Sequence, residues 1–499
     1  RTSASESRRK YIDKKLSAAD WQDNQILAEK YFTDGPIRTI GGNKAIRKEG
    51  KKADYLLRYS RDFLIAVVEA KKKNADDGLQ QAKDYAEILD LKFAYSTDGK
   101  EIIEYDYTTG LEQIIQNFPS PDELWNRLMR HQGIEPSIQE ILLKPFFNVP
   151  KKPPRYYQRI AVNRAVRHTL EGTDRLLLTM ATGTGKTYTA FQIIYKLWES
   201  RWNKKGEYRR PKILFLADRS ILVEDPMTKE FSAFGQALYQ IQGEISLGRE
   251  VYFATYQSIA EDERRPGLFR EFPENFFDLI VIDECHRGSA RRESSWRRIL
   301  NHFHSATQLG LTATPKRDDN VDTYLYFGNP IYTYSLDQGI QDGFLAPYIN
   351  RRVVPSADAT GWRPYRGQQD KHGREIPDGT YGTADFERSL SLLPRTKAVA
   401  RHLTDFLKRT RRFAKTIIFC EDSEHANQVR RELNNLNSDL TRQYPDYVVR
   451  IVSKEGDIGR GHLSNFMDVD KETPVLVTTS KLLTTGVDVQ TCKNIVIFR

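Results

Sequence analysis

The chain has 499 residues, 39% of them hydrophobic and 29% charged, which is too long for one hydrophobic core and suggests about three domains. No apolar run approaches the roughly 20 residues needed to span a bilayer, and Cys285, Cys420 and Cys492 are too far apart for a disulfide framework or a zinc cluster, which fits a reducing cytoplasm. The net charge of +10 is uneven: residues 1–150 hold 24 basic and 24 acidic side chains, so the whole excess lies downstream, where it favours a polyanionic partner.

Arg1-Thr2-Ser3-Ala4-Ser5 carries no leader-like apolar region and no initiator Met, so the sequence reads as trimmed. Residues 1–150 read as an α/β unit. Glu6 to Leu16 has helical spacing with Ser5 as a cap. Ala53–Leu57 and Phe63–Glu69 read as strands joined by a short polar turn, Asp77–Leu89 as a helix, and Lys92–Ser96 as a further strand. Asp54 opens the first of those strands and Glu69-Ala70-Lys71 ends the second. Paired across the turn, Asp54 and Glu69 converge at one sheet edge, and Lys71, two residues on, shares the face of Glu69. Two carboxylates so placed can hold Mg²⁺ against a phosphodiester, while the Lys71 ammonium stabilises charge or positions water. Taken alone, the same residues read equally as an acidic turn before a solubilising run, Lys71-Lys72-Lys73.

The prolines of Val149-Pro150-Lys151-Lys152-Pro153-Pro154 mark the next boundary. Beyond it, residues 151–335 repeat strand, loop and helix. Near-continuous apolar strands at Leu176–Leu178, Ile213–Ala217, Val251–Thr255 and Leu279–Ile282 predict a mostly parallel sheet covered on both faces. Met180-Ala181-Thr182-Gly183-Thr184-Gly185-Lys186-Thr187 follows the first strand and opens a helix. Its glycines let backbone N–H groups close around phosphate, Lys186 reaches the β- and γ-phosphates, and the Thr187 hydroxyl holds Mg²⁺; this is an ATP site. Asp283-Glu284-Cys285-His286 follows a strand directly. Asp283 is placed to hold the magnesium ion through water and Glu284 to position the attacking water. His286 lacks a cysteine–histidine cluster around it and reads as a coupling residue rather than a metal ligand. Gln158 precedes the loop at a distance suited to an amide that reads adenine, and Leu311-Thr312-Ala313-Thr314-Pro315 follows another strand.

A second such unit, 336–499, follows a polar, Gly-rich stretch near 356–383. Its strands include Thr416–Phe419 and Val475–Thr478, and it ends in a strand at Ile495–Arg499, so this domain reads as incomplete. Thr484-Thr485-Gly486-Val487-Asp488 lies beyond a strand, positioned to reach nucleotide across a cleft.

Motifs in this order resemble the superfamily-2 helicases and translocases, whose two RecA-like domains sandwich ATP. Gln158 matches the Q motif; Thr182 to Thr187, with Lys186 and Thr187 at its end, match motif I; and Asp283 and Glu284 match motif II. Thr312 and Thr314 match motif III, and Gly486 and Asp488 motif V. Asp218-Arg219 and Thr255-Tyr256-Gln257-Ser258 resemble the DNA-backbone segments of that family. Met180 stands where Gly or Ala is usual, and the arginines of motif VI have no match. Asp54…Glu69-Ala70-Lys71 resembles the PD-(D/E)xK nuclease core, with Ala53 in place of the proline. Gln81-Ala82-Lys83-Asp84-Tyr85 resembles the Gln-x-x-x-Tyr helix beside that core, with both side chains on one face; Glu6 is a weaker acidic candidate. Asp337–Tyr348 is similar to the junction between the two motor domains. A nuclease before a motor in one chain resembles the restriction (R) subunit of type I restriction-modification enzymes.

That resemblance implies a restriction-endonuclease-like α/β domain at 1–150, a first RecA-like domain at 151–335 and an incomplete second one at 336–499. It also implies ATP-driven translocation on double-stranded DNA and Mg²⁺-dependent cleavage of unmethylated DNA far from the recognised sequence. Modification and specificity subunits are the implied partners, and S-adenosylmethionine serves the holoenzyme through them. The implied setting is the cytoplasm of a bacterial or archaeal cell, with no membrane attachment. The competing readings are a stand-alone repair or remodelling helicase with a nuclease-like domain, and a DNA-binding scaffold that uses nucleotide only as a switch.

Overall fold

A computed structural model of the chain describes residues 4–40, 44–72, 75–149, 152–217, 230–260, 266–283, 297–313, 321–355, 360–370, 374–382, 393–452, 456–480 and 489–498. These fall into two compact units, 1–347 and 348–499.

The first unit opens with helix α1 (Ala4–Ala18). It starts ahead of Ser5, which therefore lies inside the helix and is not its cap. Strands β1 (Ile26–Tyr31), β2 (Ile37–Ile40), β3 (Lys44–Arg47), β4 (Lys52–Ser60) and β5 (Phe63–Ala70) lead to helix α2 (Asp76–Ile88). Strands β6 (Phe93–Thr97), β7 (Ile102–Asp106) and β8 (Leu111–Ile115) then precede helices α3 (Pro121–Gln132) and α4 (Pro136–Leu143). Six strands make a mixed sheet in the order β1-β4-β5-β6-β7-β8, while β2 and β3 form a separate antiparallel hairpin. The β4–β5 pair is antiparallel, as their short turn predicts, and β5–β6 is parallel because α2 makes the crossover between them. The period-two pleat divides each strand between two cores. Tyr55, Leu57, Val68 and Tyr95 pack with α1 and α3 on one face, and Leu56, Val67 and Ala94 with Ala82 and Ala86 of α2 on the other.

Helix α5 (Tyr156–Leu170) and strand β9 (Arg175–Met180) lead to helix α6 (Lys186–Glu199). Strands β10 (Ile213–Ala217), β11 (Leu238–Gln240), β12 (Val251–Thr255), β13 (Leu279–Asp283), β14 (Thr307–Thr312) and β15 (Tyr332–Tyr334) complete a seven-stranded parallel sheet, ordered β11-β12-β10-β13-β14-β9-β15. Strands whose side chains are buried on both faces give the apolar runs seen in the sequence. Leu176, Leu178, Phe215 and Val281 face α5 and α6, while Leu177, Leu214, Ile280 and Ile282 face the layer holding Ile299 and Phe303. Each such side chain contributes about 1.5–3 kcal/mol by leaving water. The first of these cores runs without a break from Ile12 to Tyr334, so the mixed sheet and the parallel sheet share buried surface on either side of the 150–154 prolines.

The second unit holds a parallel sheet ordered β17-β18-β16-β19, built from β16 (Thr416–Cys420), β17 (Val448–Ile451), β18 (Leu476–Thr479) and β19 (Asn494–Phe498). Its core gathers Ile418, Leu476 and Phe498 with Leu403, Leu407, Val429 and Leu433 of the helices Leu393–Arg409 and Ser423–Leu436. The two parallel sheets are RecA-like. Among the described residues no helix is long and apolar enough to cross a membrane.

Candidate functional site

The parallel sheet places its chemistry at one edge, because every strand runs the same way and ends on the same side. Strand β9 ends at Met180 and the phosphate loop follows. Gly183 and Gly185 adopt φ values of 81° and 83°, a region open to glycine and strained for other residues. They turn the chain so that α6 begins at Lys186 with its amides aimed into the loop. The loop is braced from behind. Tyr157 Oη and Gln158 Nε2 both donate to Thr184 O, each at 2.9 Å, and Thr184 Oγ1 donates to Ala181 O at 2.5 Å. Thr182 and Gly183 are exposed, Thr187 is half-buried and Lys186 is 9% exposed.

Asp283 ends β13, opposite Leu311 of β14; β14 in turn pairs with β9, matching Thr312 to Thr179. Leu311 pairs with Leu178, so two strand spacings put Asp283 about 10 Å across the sheet from Leu178, two residues before β9 ends at Met180 and on the same side as the loop, where a hydrated magnesium ion and a phosphate chain bridge the gap. The donor set therefore fits Mg·ATP. Glu284, His286, Asp218, Arg219, Thr314, Gly486 and Asp488 lie outside the described residues. Thr255 and Ser258 form a mutual cap on a short helical turn at the end of β12: Ser258 N donates to Thr255 Oγ1 and Thr255 N to Ser258 Oγ, both at 3.1 Å.

Gln158 sits directly behind the phosphate loop. It is 6% exposed, its Oε1 accepts from Arg155 N at 2.9 Å, and its Nε2 is held by Thr184 O. One end of the amide braces the phosphate loop and the other caps the start of α5.

The second cluster lies where β4 begins and β5 ends. One step beyond the Tyr55–Val68 pair, the register sets Asp54 opposite Glu69. Their carboxylates exchange bonds across the strands: Ala70 N donates to Asp54 Oδ2 at 2.8 Å and Asp54 N to Glu69 Oε1 at 3.3 Å. Lys71 Nζ stands 3.7 Å from Glu69 Oε2 and donates to Gln81 Oε1 at 2.7 Å, and Gln81 Nε2 continues to Tyr85 Oη at 3.2 Å. The five residues singled out from the sequence thus form one connected group. Glu69 is 1% exposed, which rules out the solvated acidic turn. Burial first and the Asp54 charge second push its carboxyl up to about 8. Two adjacent carboxylates, one of them disfavoured as an anion, make a pair that a divalent cation relieves, and the donors fit Mg²⁺. Burial, together with the charges of Glu69 and Asp54, also raises Tyr85. Glu6 lies in α1, and its side chain is outside the described residues.

Sequence reasoning missed what makes room for Lys71. A Cβ on Gly78, in the first turn of α2, would lie 2.7 Å from Lys71 Cε, 2.8 Å from Lys71 Cγ and 2.4 Å from Ser96 Oγ. The lysine stem crosses the helix through the space a side chain would fill. A glycine inside a helix otherwise rich in good formers was the available signal. Among the described residues no group of three or more His, Cys, Asp or Glu side chains forms a metal cluster.

Residues 151–317 match the family model described as type III restriction enzyme, res subunit. The chain is 44% identical over 490 residues to the type I restriction enzyme EcoAI endonuclease subunit of Escherichia coli, covering 96% of this chain and 59% of that protein. It is 28% identical over 598 residues to the EcoKI endonuclease subunit of E. coli strain K12, covering 99% and 49%. The chain thus spans about half the length of these curated relatives. A solved fragment assigned as an HsdR subunit of a type I restriction enzyme from Vibrio vulnificus superposes with a TM-score of 0.84 at 53% identity, covering 99% of this chain and 86% of that one.

Proposed function

Since this chain belongs to the restriction (R) subunit family of type I restriction-modification enzymes, among the superfamily-2 helicase-like translocases, we propose that it combines an ATP-driven motor for double-stranded DNA with a Mg²⁺-dependent endonuclease. The observation that carries the reading is the joined group Asp54, Glu69, Lys71, Gln81 and Tyr85 in the same compact unit as the phosphate loop. A motor alone has no use for it.

In this reading residues 1–150 cut, and 151–335 and 336–499 translocate. The phosphate-loop amides and Lys186 grip the nucleotide phosphates, Thr187 and Asp283 hold their magnesium ion, and Glu284 orients the attacking water. Gly486 and Asp488 contribute from the second motor domain. At the other site Asp54 and Glu69 hold Mg²⁺, which when bound supplies Lewis-acid polarisation of the scissile phosphate. Lys71 offsets charge on the phosphate, and Gln81 fixes the direction of the ammonium through its 2.7 Å bond. The motor contacts DNA through its backbone, which positions the protein without specifying sequence. Sequence choice therefore falls to a specificity subunit and protection of host DNA to a modification subunit using S-adenosylmethionine, in the cytoplasm of a bacterial or archaeal cell. Cleavage then follows at variable sites remote from the recognised sequence.

The test is to reconstitute the full-length subunit with its modification and specificity partners on unmethylated circular DNA. DNA-stimulated ATP turnover together with Mg²⁺-dependent linearisation is expected. Turnover without cleavage would leave a motor and remove the nuclease.

A further inference from the structure

From the contacts around residues 342–345 we infer that this turn is a positioning element, tying the phosphate loop to residues 34–51, which lead into nuclease strand β4, so that each site senses the other. The inference rests on the two-site reading above and adds the regulation of its nuclease half.

The turn follows the helix Leu336–Gln341 and meets the phosphate loop on one side and residues 34–51 on the other. On the nuclease side Asp342 O accepts from Asp34 N and Gly35 N, both at 2.9 Å, and Arg47 Nη1 donates to Gly343 O at 3.1 Å. Lys51 Nζ, just ahead of β4, reaches Asp342 Oδ1 at 3.4 Å, and Asp54 lies three residues further along. On the nucleotide side the buried Asp342 Oδ2 accepts from both Tyr156 Oη and Tyr334 Oη, at 2.5 and 2.7 Å. The Tyr334 ring stacks on Tyr157 with centroids 3.8 Å apart and planes 8° from parallel, and Tyr157 Oη bonds Thr184 O in the phosphate loop. Leu345 reaches that loop directly: its Cδ2 lies 3.2 Å from where a Gly183 Cβ would be.

Two features mark the turn as more than ordinary packing. Gly343 has a φ of 81°, and a Cβ there would fall 1.9 Å from Gly35 O, so the two backbones meet at a distance that permits no side chain. Asp342 gathers two tyrosine hydroxyls from motor elements and a lysine from the nuclease onto one carboxylate that is 4% exposed. A shift of the loop around phosphate is therefore passed through Leu345 and Tyr157 to residues 34–51 without a gap in the contacts, and from Lys51 along the chain to Asp54. Coupling of this kind is reciprocal and typically worth about 5–150-fold in affinity.

The experiment compares the full-length subunit, in complex with its partners, as wild type, Gly343→Ala and Tyr156→Phe. Amide hydrogen exchange is followed with and without a non-hydrolysable ATP analogue, beside ATP turnover and DNA cleavage. In the wild type the analogue changes exchange over residues 33–54 as well as over the phosphate loop. Both variants are expected to keep the phosphate-loop response while losing the response at 33–54, with the ratio of cleavage to ATP turnover falling by about tenfold. A merely structural turn would raise exchange at 33–54 equally with and without nucleotide and leave that ratio alone; this result overturns the inference while sparing the two-site reading. A wild type showing neither nucleotide protection nor cleavage overturns both. If Gly343→Ala does not fold, Tyr156→Phe, which removes one hydroxyl and no packing, decides.

Discussion

Gly78→Ala sets two ordinary effects against each other. Replacing a helical glycine by alanine stabilises by up to about 1 kcal/mol, and by less in a first turn. Here the new methyl would meet Lys71 Cε at 2.7 Å, Lys71 Cγ at 2.8 Å and Ser96 Oγ at 2.4 Å. Comfortable carbon–carbon contact begins near 3.5–4.0 Å, so the lysine stem must move by about 1 Å. Overpacking of this size costs roughly 1–3 kcal/mol, and the net loss of stability falls to about 0–2 kcal/mol. The effect on chemistry is larger. Lys71 is held at 2.7 Å by Gln81 and at 3.7 Å by Glu69, so its stem cannot move without shifting the ammonium. A misplacement of about 1 Å at a reacting centre costs on the order of a hundredfold in rate. Urea unfolding of the variant should show a small change or none. Cleavage of unmethylated DNA by the reconstituted complex should fall about a hundredfold while ATP turnover stays at the wild-type level. Wild-type cleavage by Gly78→Ala would show that Lys71 does not act from this position and would refute the assigned geometry.

Other substitutions separate the two sites. Asp54→Ala removes the proposed metal ligand and the acceptor for Ala70 N; cleavage should fall to background with ATP hydrolysis intact, and stability should drop by about 1 kcal/mol. Lys186→Ala should lose ATP turnover, and its melting curve should no longer rise with Mg·ATP, whereas the wild type gains about 2.7 kcal/mol at a hundredfold excess over Kd. Glu69 gives a pH signature. Burial and then the Asp54 charge push its carboxyl up to about 8 from an ordinary 4.5, so the folded state prefers the protonated form. Stability without metal is full below pH 4.5 and falls as pH rises towards 8, by several kcal/mol at most. Glu69→Gln should flatten that slope, and Mg²⁺ should flatten it in the wild type because cation and proton compete for the same oxygens. An unchanged slope in Glu69→Gln would place the titration elsewhere.

Much of both sites was legible because it depends on short periods. Asp54 and Glu69 lie on strands joined by a tight turn, so their opposition follows from pairing, and the i,i+4 spacing of Gln81 and Tyr85 fixes their shared face. The phosphate loop needs only its glycines and the helix that follows. What the sequence hid is long-range. Nothing local announces that Gly78 leaves a channel for Lys71, or that Gly343 must meet Gly35 backbone to backbone across some 300 positions. Gln158 shows a different limit: its place ahead of the loop is plain in the sequence, while the partner of its amide, Thr184 O, depends on how α5 docks. The hairpin β2–β3 and the edge strands β1 and β8 also went unseen, since exposed, mixed-polarity strands carry little apolar signature.

The unbroken interior from Ile12 to Tyr334 has a consequence for anyone rebuilding this protein. A domain that owns its foundations can be moved between chains like a cartridge; here the foundations are held in common. A graft of residues 1–150 onto a foreign engine would expose apolar surface on both halves unless the recipient also carried the α5 and α6 layer that lines it. The prolines at 150–154 look like a seam, yet the buried surface continues across them.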